Sequence, residues 1–192
     1  GHLYLVEEAR RLLGSDTAMI GVMSGDFVQR GEPAIMPKHL RAEAALRAGA
    51  SLVIELPVCY ATQSAELFAF GAVSILEKLN VVDALCFGSE AGNIQVLSDI
   101  ADILTHETPA FKARLQEYLR IGDSFPTARK KVIKDLFPDK DYDQILENPN
   151  NILGIEYLKA LSRLNSKIIP YTIPRCGSAY HDDRLDNNCS SA

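Results

Sequence analysis

The chain has 192 residues, 47% of them hydrophobic, and a formal net charge of −5. This composition is sufficient for a sizeable core and predicts one main domain. The acidic balance excludes a protein whose whole surface is built to bind a polyanion. No apolar run approaches the roughly 20 residues of a membrane span, and the first residues lack the layout of a signal peptide. We therefore expect a cytoplasmic protein with no membrane partner.

Helical and strand patterns alternate along the chain. The predicted helices cover residues 3–13, 37–49, 64–79 and 150–164, with two to four more between 93 and 136. The predicted strands cover residues 17–23, 51–57, 83–87 and 167–174. In the second helix, Pro37 suits a first turn. Its core-facing residues are predicted to be Leu40, Ala44, Ala45 and Ala48.

The predicted strands are apolar throughout instead of alternating with polar residues. Such strands, separated by helices, are typical of an α/β protein with a parallel sheet and helices on both faces. We expect one domain over residues 1–176. Residues 177–192 lose all apolar periodicity and predict a polar tail or link. Both ends of the sequence resemble cut points, so we expect a fragment of a longer protein.

Cysteine and histidine spacing predicts no metal site. The cysteines, at positions 59, 86, 176 and 189, are too far apart for a metal or redox pair and suggest no disulfide framework. The histidines show no metal-ligand spacing. The acidic pair after His181 falls in the polar segment, which favours a tail over a metal group.

Polar residues follow each predicted strand, where parallel folds bind their ligands. They are Ser24, Gly25 and Asp26; then Glu55; then Gly88, Ser89 and Glu90; and finally Arg175. Glycine allows the backbone to approach a phosphate closely, and arginine can bridge phosphate oxygens. Turns favour the same residue types, so each set alone has a structural alternative. Four sets together favour a site.

The longest of these segments is VMSGDFVQRGEPAI, residues 22–35. Its length and glycine content predict a loop that serves a ligand, with Asp26, Gln29 and Arg30 lining the cleft. The alternative is a structural loop braced by Arg30 and a nearby carboxylate, either Asp26 or Glu32.

Two further residues are candidates for contact with an anion. His2 stands at the start of a helix, where the free N–H groups and the helix dipole favour phosphate. The alternative is an exposed terminal histidine. Asn151 precedes an apolar helix, and either it or Asn150 is a good N-cap. Capping and ligand contact are both open for Asn151.

The densest basic cluster is TARKKVIK, which carries Arg129, Lys130, Lys131 and Lys134. A helix with this face can contact RNA phosphates. A solvated helix face is the alternative, and the absence of interleaved aromatic residues favours it.

Several segments, in this order and spacing, resemble the bacterial tRNA(Met) cytidine acetate ligase family. They are VMSGDFVQRGEPAI, then LRAEAALRAGASLVIELPVCYATQSAELFAFGAV, FGSE, NNILGIEYLKAL and IPR. The likeness extends from Gly1 to about Arg175. It implies a Rossmann-like nucleotidyltransferase fold with a His-x-Gly-His turn, of which Gly1 and His2 are the second half. The family's first strand and first histidine are missing from this sequence.

The resemblance implies ATP-dependent activation of acetate to acetyl-adenylate. The acetyl group then passes to the exocyclic amine of the wobble cytidine of elongator tRNA(Met), which becomes N4-acetylcytidine. Gly1, His2, Gly88, Asn151 and Arg175 match positions that the family uses for ATP, and Mg²⁺ is expected with the phosphates.

Within that implied chemistry, the expected catalytic residues are His2, Asp26 and Arg30. Gln29 and the basic cluster (Arg129, Lys130 and Lys131) are the candidates for contact with the substrate or tRNA. Two other functions stay open. One is a nucleotidyltransferase acting on a phosphorylated cofactor precursor, and the other is a non-catalytic module that binds adenine nucleotide or RNA.

Overall fold

The computed structural model describes residues 2–175, except for the side chain of His2. The elements in chain order are α1 (His2–Leu13), β1 (Ile20–Ser24), α2 (Lys38–Arg47), β2 (Leu52–Leu56), α3 (Val58–Ala61), α4 (Ala65–Leu79), β3 (Ala84–Ser89), α5 (Ile94–Thr105), α6 (Pro109–Arg120), α7 (Phe125–Leu136), α8 (Tyr142–Ile145), α9 (Pro149–Arg163) and β4 (Ile169–Pro174). Every helix among these residues is too short or too polar to traverse a lipid bilayer.

The four strands form two parallel pairs. β1 pairs with β2, from Ile20 opposite Leu52 to Ser24 opposite Leu56. β3 pairs with β4 in the same way, and helices lie on both sides of the strands. The predicted α/β class with parallel strands is therefore confirmed. Within residues 2–175 no ladder joins one pair to the other, so the strands are two half-sheets.

Side chains link the two half-sheets. The main hydrophobic cluster is built around β3, α5, α7 and α9, and a smaller one surrounds Leu56, Ala61 and Ala72. Val22 of β1 and Tyr157 of α9 pack against both clusters. The Tyr157 ring also contacts the ring of Phe87 on β3, with centroids 5.6 Å apart. Apolar contacts therefore hold the two half-sheets together, since no backbone ladder joins them within residues 2–175.

The prediction of core-facing residues in α2 is wrong. No residue of this helix is buried, and Leu40 is 54% exposed. The helix packs against β1 and β2 with a face that includes Arg41, which binds two backbone carbonyls there. Pro37 lies at the N-cap instead of the first turn. A two-stranded pair offers a narrow surface, which leaves much of α2 in solvent.

The remaining differences from the predicted elements concern short segments. The stretch predicted to contain two to four helices holds three, α5, α6 and α7. Two helices, α3 and α8, were not predicted. Each has four residues, which is too short for an apolar period to be visible in the sequence.

Candidate active site

The ends of β3 and β4 bring two of the predicted ATP positions together. Gly88 is opposite Ile173, and the backbone N–H of Arg175 donates to the Ser89 carbonyl at 3.0 Å. A Cβ built on Gly88 would lie 3.5 Å from Cγ of Arg175. The exposed arginine therefore runs beside the one position of this strand end that has no side chain.

The turn after β3, residues 89–92, is tightly built. Ser89 is fully buried, and its Oγ lies 2.7 Å from Oγ1 of Thr172 and accepts from the Gly92 N–H at 3.0 Å. Gly92 has φ +59°, and a Cβ there would lie 2.8 Å from Cγ of Pro174. Only glycine satisfies both conditions. Ser89 of FGSE therefore has a structural role in the turn, which is the alternative stated above for the polar strand ends.

Asn151 lies inside α9 and is not an N-cap. The helix begins at Pro149, and Asn148 occupies the N-cap position. The Asn151 side chain is 1% exposed. Its Oδ1 accepts from the Ala91 N–H at 2.9 Å, and its Nδ2 donates to the Ile145 carbonyl at 3.1 Å. Asn151 is thus joined to the turn beside Gly88, but its amide is already hydrogen-bonded to protein groups.

A second cluster lies where β1 and β2 end. The Lys38 ammonium lies 2.8 Å and 3.1 Å from the two carboxylate oxygens of Glu55, and 3.9 Å from Oδ2 of Asp26. The hydrogen bond to Glu55 raises the pKa of Lys38. The Lys38 N–H donates to Oδ1 of Asp26 at 3.2 Å. Asp26 is therefore held against the first turn of α2.

Arg41 anchors the end of β1. Its guanidinium donates to the carbonyls of Ser24 at 2.9 Å and Gly25 at 2.7 Å. Sequence reasoning did not identify Lys38 or Arg41. The available signal was two basic residues in the first turns of the helix that follows a polar strand end.

The loop after β1 is a small antiparallel hairpin. Phe27 and Pro33 form a β-bridge, and the Ala34 N–H donates to the Asp26 carbonyl at 2.8 Å. Gly31 turns the chain with φ +75°. Gln29 and Arg30 are exposed at the tip of this hairpin. The loop is therefore organised, with its predicted ligand residues projecting from a fixed base.

The basic cluster on α7 is engaged within the fold. Arg129 lies 3.6 Å from Glu156, Lys131 lies 2.7 Å from Asp123, Lys134 lies 3.0 Å from Asp143, and Lys130 pairs with Glu147. The Lys134 bond lowers the pKa of Asp143. These pairs favour the structural alternative over RNA contact, because each cation already has a carboxylate partner.

The helix that carries His2 lies on the same half of the molecule as Gly88. α1 packs against β3 and β4, although it precedes β1 in the chain. Gly1, the His2 side chain and the segment with His181 lie outside the described residues. Among the described residues no three His, Cys, Asp or Glu side chains form a metal-binding group.

The fold and the polar strand ends define a nucleotidyltransferase-type α/β protein. The chain belongs to the HIGH nucleotidyl transferase family, whose sequence profile matches residues 1–192.

Its relatives include proteins named tRNA(Met) cytidine acetate ligase, and the family resemblance predicted from the sequence is confirmed. The protein of that name from Caldanaerobacter subterraneus is 50% identical across this whole chain, which covers 48% of the relative. The one from Clostridium novyi is 49% identical with the same coverage. The chain spans about half the length of the curated relatives it matches.

Two solved structures of Thermotoga maritima TmcAL are similar. The apo form I has a TM-score of 0.91 and 42% identity, over 99% of this chain and 46% of that one. The form bound with alpha-thio ATP has a TM-score of 0.86 and 43% identity, over 92% of this chain and 43% of that one.

Proposed function

We propose that this chain is the ATP-activating domain of a tRNA(Met) cytidine acetate ligase. The single observation that carries the proposal is the convergence of Gly88, Arg175 and Asn151 around the turn after β3. The sequence resemblance alone assigned these three positions to ATP, and they are far apart in the chain. The alpha-thio ATP bound to the similar TmcAL supports ATP as the nucleotide.

Each residue has a stated role in this proposal. The backbone at Gly88 admits the nucleotide closely, because no side chain intervenes. Arg175 contacts the phosphate or the adenosine, and Gly1 and His2 serve the phosphates at the start of α1. Asn151 acts chiefly by ordering the turn, since its amide is already satisfied. Mg²⁺ would act as the counter-ion of the phosphates, with no dedicated protein cage expected for it.

The proposed reaction has two steps. An acetate oxygen forms a bond to the α-phosphorus of ATP, the bond to the bridging oxygen breaks, and pyrophosphate leaves. The cytidine amine then attacks the acetyl carbonyl, AMP leaves with the bonding electrons, and the amine loses a proton. In both steps the protein mainly aligns reactants and offsets negative charge.

The hairpin at residues 26–34 is proposed to face acetate or the cytidine. Asp26 and Arg30 are its catalytic candidates, and Gln29 is a candidate for substrate contact. This assignment is supported by the fixed base that Lys38 and Arg41 provide for an exposed tip. The basic cluster of α7 is the weaker candidate for tRNA because its charges are paired. A tRNA substrate implies a cytoplasmic location, and residues 177–192 are proposed to link this domain to the rest of the protein.

The test is pyrophosphate release from ATP by the intact protein, with and without acetate and elongator tRNA(Met). We expect release to require acetate, and the digested tRNA to contain acetylated cytidine at the wobble position. Release without tRNA but with a phosphorylated cofactor precursor would support a different nucleotidyltransferase. ATP binding without release under any combination would support a non-catalytic module.

A further inference from the structure

The carboxylate of Glu90 ties the turn after β3 to the start of α9. Its Oε2 accepts from the backbone N–H of Asn151 at 2.9 Å, and its Oε1 accepts from Nδ2 of Asn150 at 2.6 Å. The residue at the N-cap position, Asn148, makes no capping bond with its side chain, and its Nδ2 instead points back to the Gln144 carbonyl at 3.4 Å. A carboxylate about 60 residues away in sequence thus performs the capping.

A second hydrogen bond runs in the opposite direction between the same two segments. The Asn151 side chain accepts from the Ala91 N–H, while the Asn151 N–H donates to Glu90. We name this pair of bonds the Glu90–Asn151 bridge. Two antiparallel bonds fix both the distance and the orientation of the turn relative to the helix, which one bond could not do.

The turn transmits this constraint to the proposed nucleotide site. Its first residue, Ser89, directly follows Gly88 and receives the backbone N–H of Arg175 at 3.0 Å. Its last residue, Gly92, abuts Pro174, which directly precedes Arg175. A shift of the turn would therefore move the backbone on both sides of the site.

We propose that Glu90 is a positioning residue for ATP, which acts through the turn on Gly88 and Arg175. This inference rests on the proposed function, because it names a residue that makes the same ATP site competent. Glu90 itself does not contact the nucleotide. Its carboxylate is needed because both of its oxygens accept from donors, and because negative charge is favourable at a helix N-terminus.

Glu90→Gln is the informative variant. The amide keeps the size of the side chain but removes the negative charge at the start of α9, and its NH₂ group cannot accept from the donor that it faces. We expect the Kd and the KM for ATP to rise about tenfold. The KM for acetate, measured at saturating ATP, should stay unchanged. Glu90→Asp keeps both acceptors on a shorter stem and should recover part of the ATP affinity.

The experiment uses the intact protein and titrates alpha-thio ATP in the absence of acetate, so that no acyl transfer occurs, at a temperature where every variant is folded. The matched control is Glu117→Gln on α6, whose carboxylate is exposed and pairs only loosely with Arg114 at 3.5 Å. It should bind within about twofold of the wild type.

The outcomes separate the two proposals. If wild type binds no ATP, the proposed function fails. If wild type binds and Glu90→Gln binds equally well, the positioning role fails even where the melting temperature falls, since a helix cap alone would produce that fall. A Kd that rises for Glu90→Gln and recovers in Glu90→Asp supports the proposal.

Discussion

At the scale of single residues, the structure separates side chains that complete the fold from side chains that remain available to a ligand. The side chains of Ser89 and Asn151 are buried and hydrogen-bonded within the fold. Gln29, Arg30 and Arg175 are exposed. The exposed set is accessible to a substrate, whereas the Asn151 amide would first have to give up its bonds within the fold.

Asn151→Ala is expected to lower the free energy of unfolding by about 2–4 kcal/mol. The substitution leaves the Ala91 N–H and the Ile145 carbonyl without partners at a position that is 1% exposed. Urea denaturation measures the loss. Weaker ATP binding in this variant must therefore be corrected for the folded fraction. An unchanged unfolding midpoint would contradict the contacts described for this amide.

Arg30→Ala is expected to reduce turnover at least tenfold, or about 1.4 kcal/mol of transition-state stabilisation, while the melting temperature shifts by less than about 2 °C. The guanidinium is exposed at the hairpin tip, so its main contribution is expected to be to the substrate. Turnover is measured as acetylated cytidine formed per folded molecule. Arg114→Ala, which removes an exposed arginine on α6, serves as the control. A large fall in melting temperature with normal turnover would favour the structural role.

At the scale of elements, close approach between α9 and β3 depends on one glycine. A Cβ on Gly154 would lie 2.5 Å from Cε2 of Phe87, whose ring is buried. In an isolated helix, replacing glycine by alanine stabilises the helix by about 1 kcal/mol. Here the clash falls on a packed ring that cannot move aside, so the packing cost should exceed that gain.

Gly154→Ala is therefore expected to destabilise the protein by about 1–2 kcal/mol, against the direction of helix propensity. Chemical denaturation gives the value. Adding Phe87→Leu provides the control, because the smaller side chain should recover part of the loss if the clash is its cause. Stabilisation by Gly154→Ala alone would show that the two elements are not in this contact.

The elements also differ in how well the sequence predicts them. Long helices and buried strands, such as α4, α9 and β3, carry a strong periodic or continuous apolar signal. The capping of α9 by Glu90 carries no such signal, since it depends on bonds between segments distant in the chain. The hairpin at residues 26–34 is local, but it is too short to show a strand period. Sequence identified Gly88 and Arg175 as polar strand-end residues and assigned them to ATP through resemblance. It placed Asn151 at a helix end, because the bond from Ala91 to its side chain leaves no local pattern.

At the scale of the whole molecule, Tyr157 connects the two half-sheets. Burial raises its pKa from 10.0 to about 12. The folded state therefore holds this proton over a range in which the unfolded chain releases it. The contribution of Tyr157 to stability is complete below pH 10 and is lost as the pH rises toward about 12.

Between those limits the free energy of unfolding should fall by up to about 1.4 kcal/mol per pH unit on account of this one group. Tyr157→Phe keeps the ring between the half-sheets and should remove that part of the slope. Urea unfolding at several alkaline pH values measures it. Identical slopes in wild type and variant would contradict burial of the hydroxyl.

The missing side chain of Gly25 leaves space for the carboxylate of Glu55. A Cβ on Gly25 would lie 2.1 Å from Oε1 of Glu55, the carboxylate that binds Lys38. A side chain at position 25 would therefore displace the flexible end of Glu55 into another rotamer, away from its present bonds to Lys38. Gly25 thus leaves room for the Glu55–Lys38 pair and, because Lys38 also binds Asp26, for the present arrangement of the hairpin base.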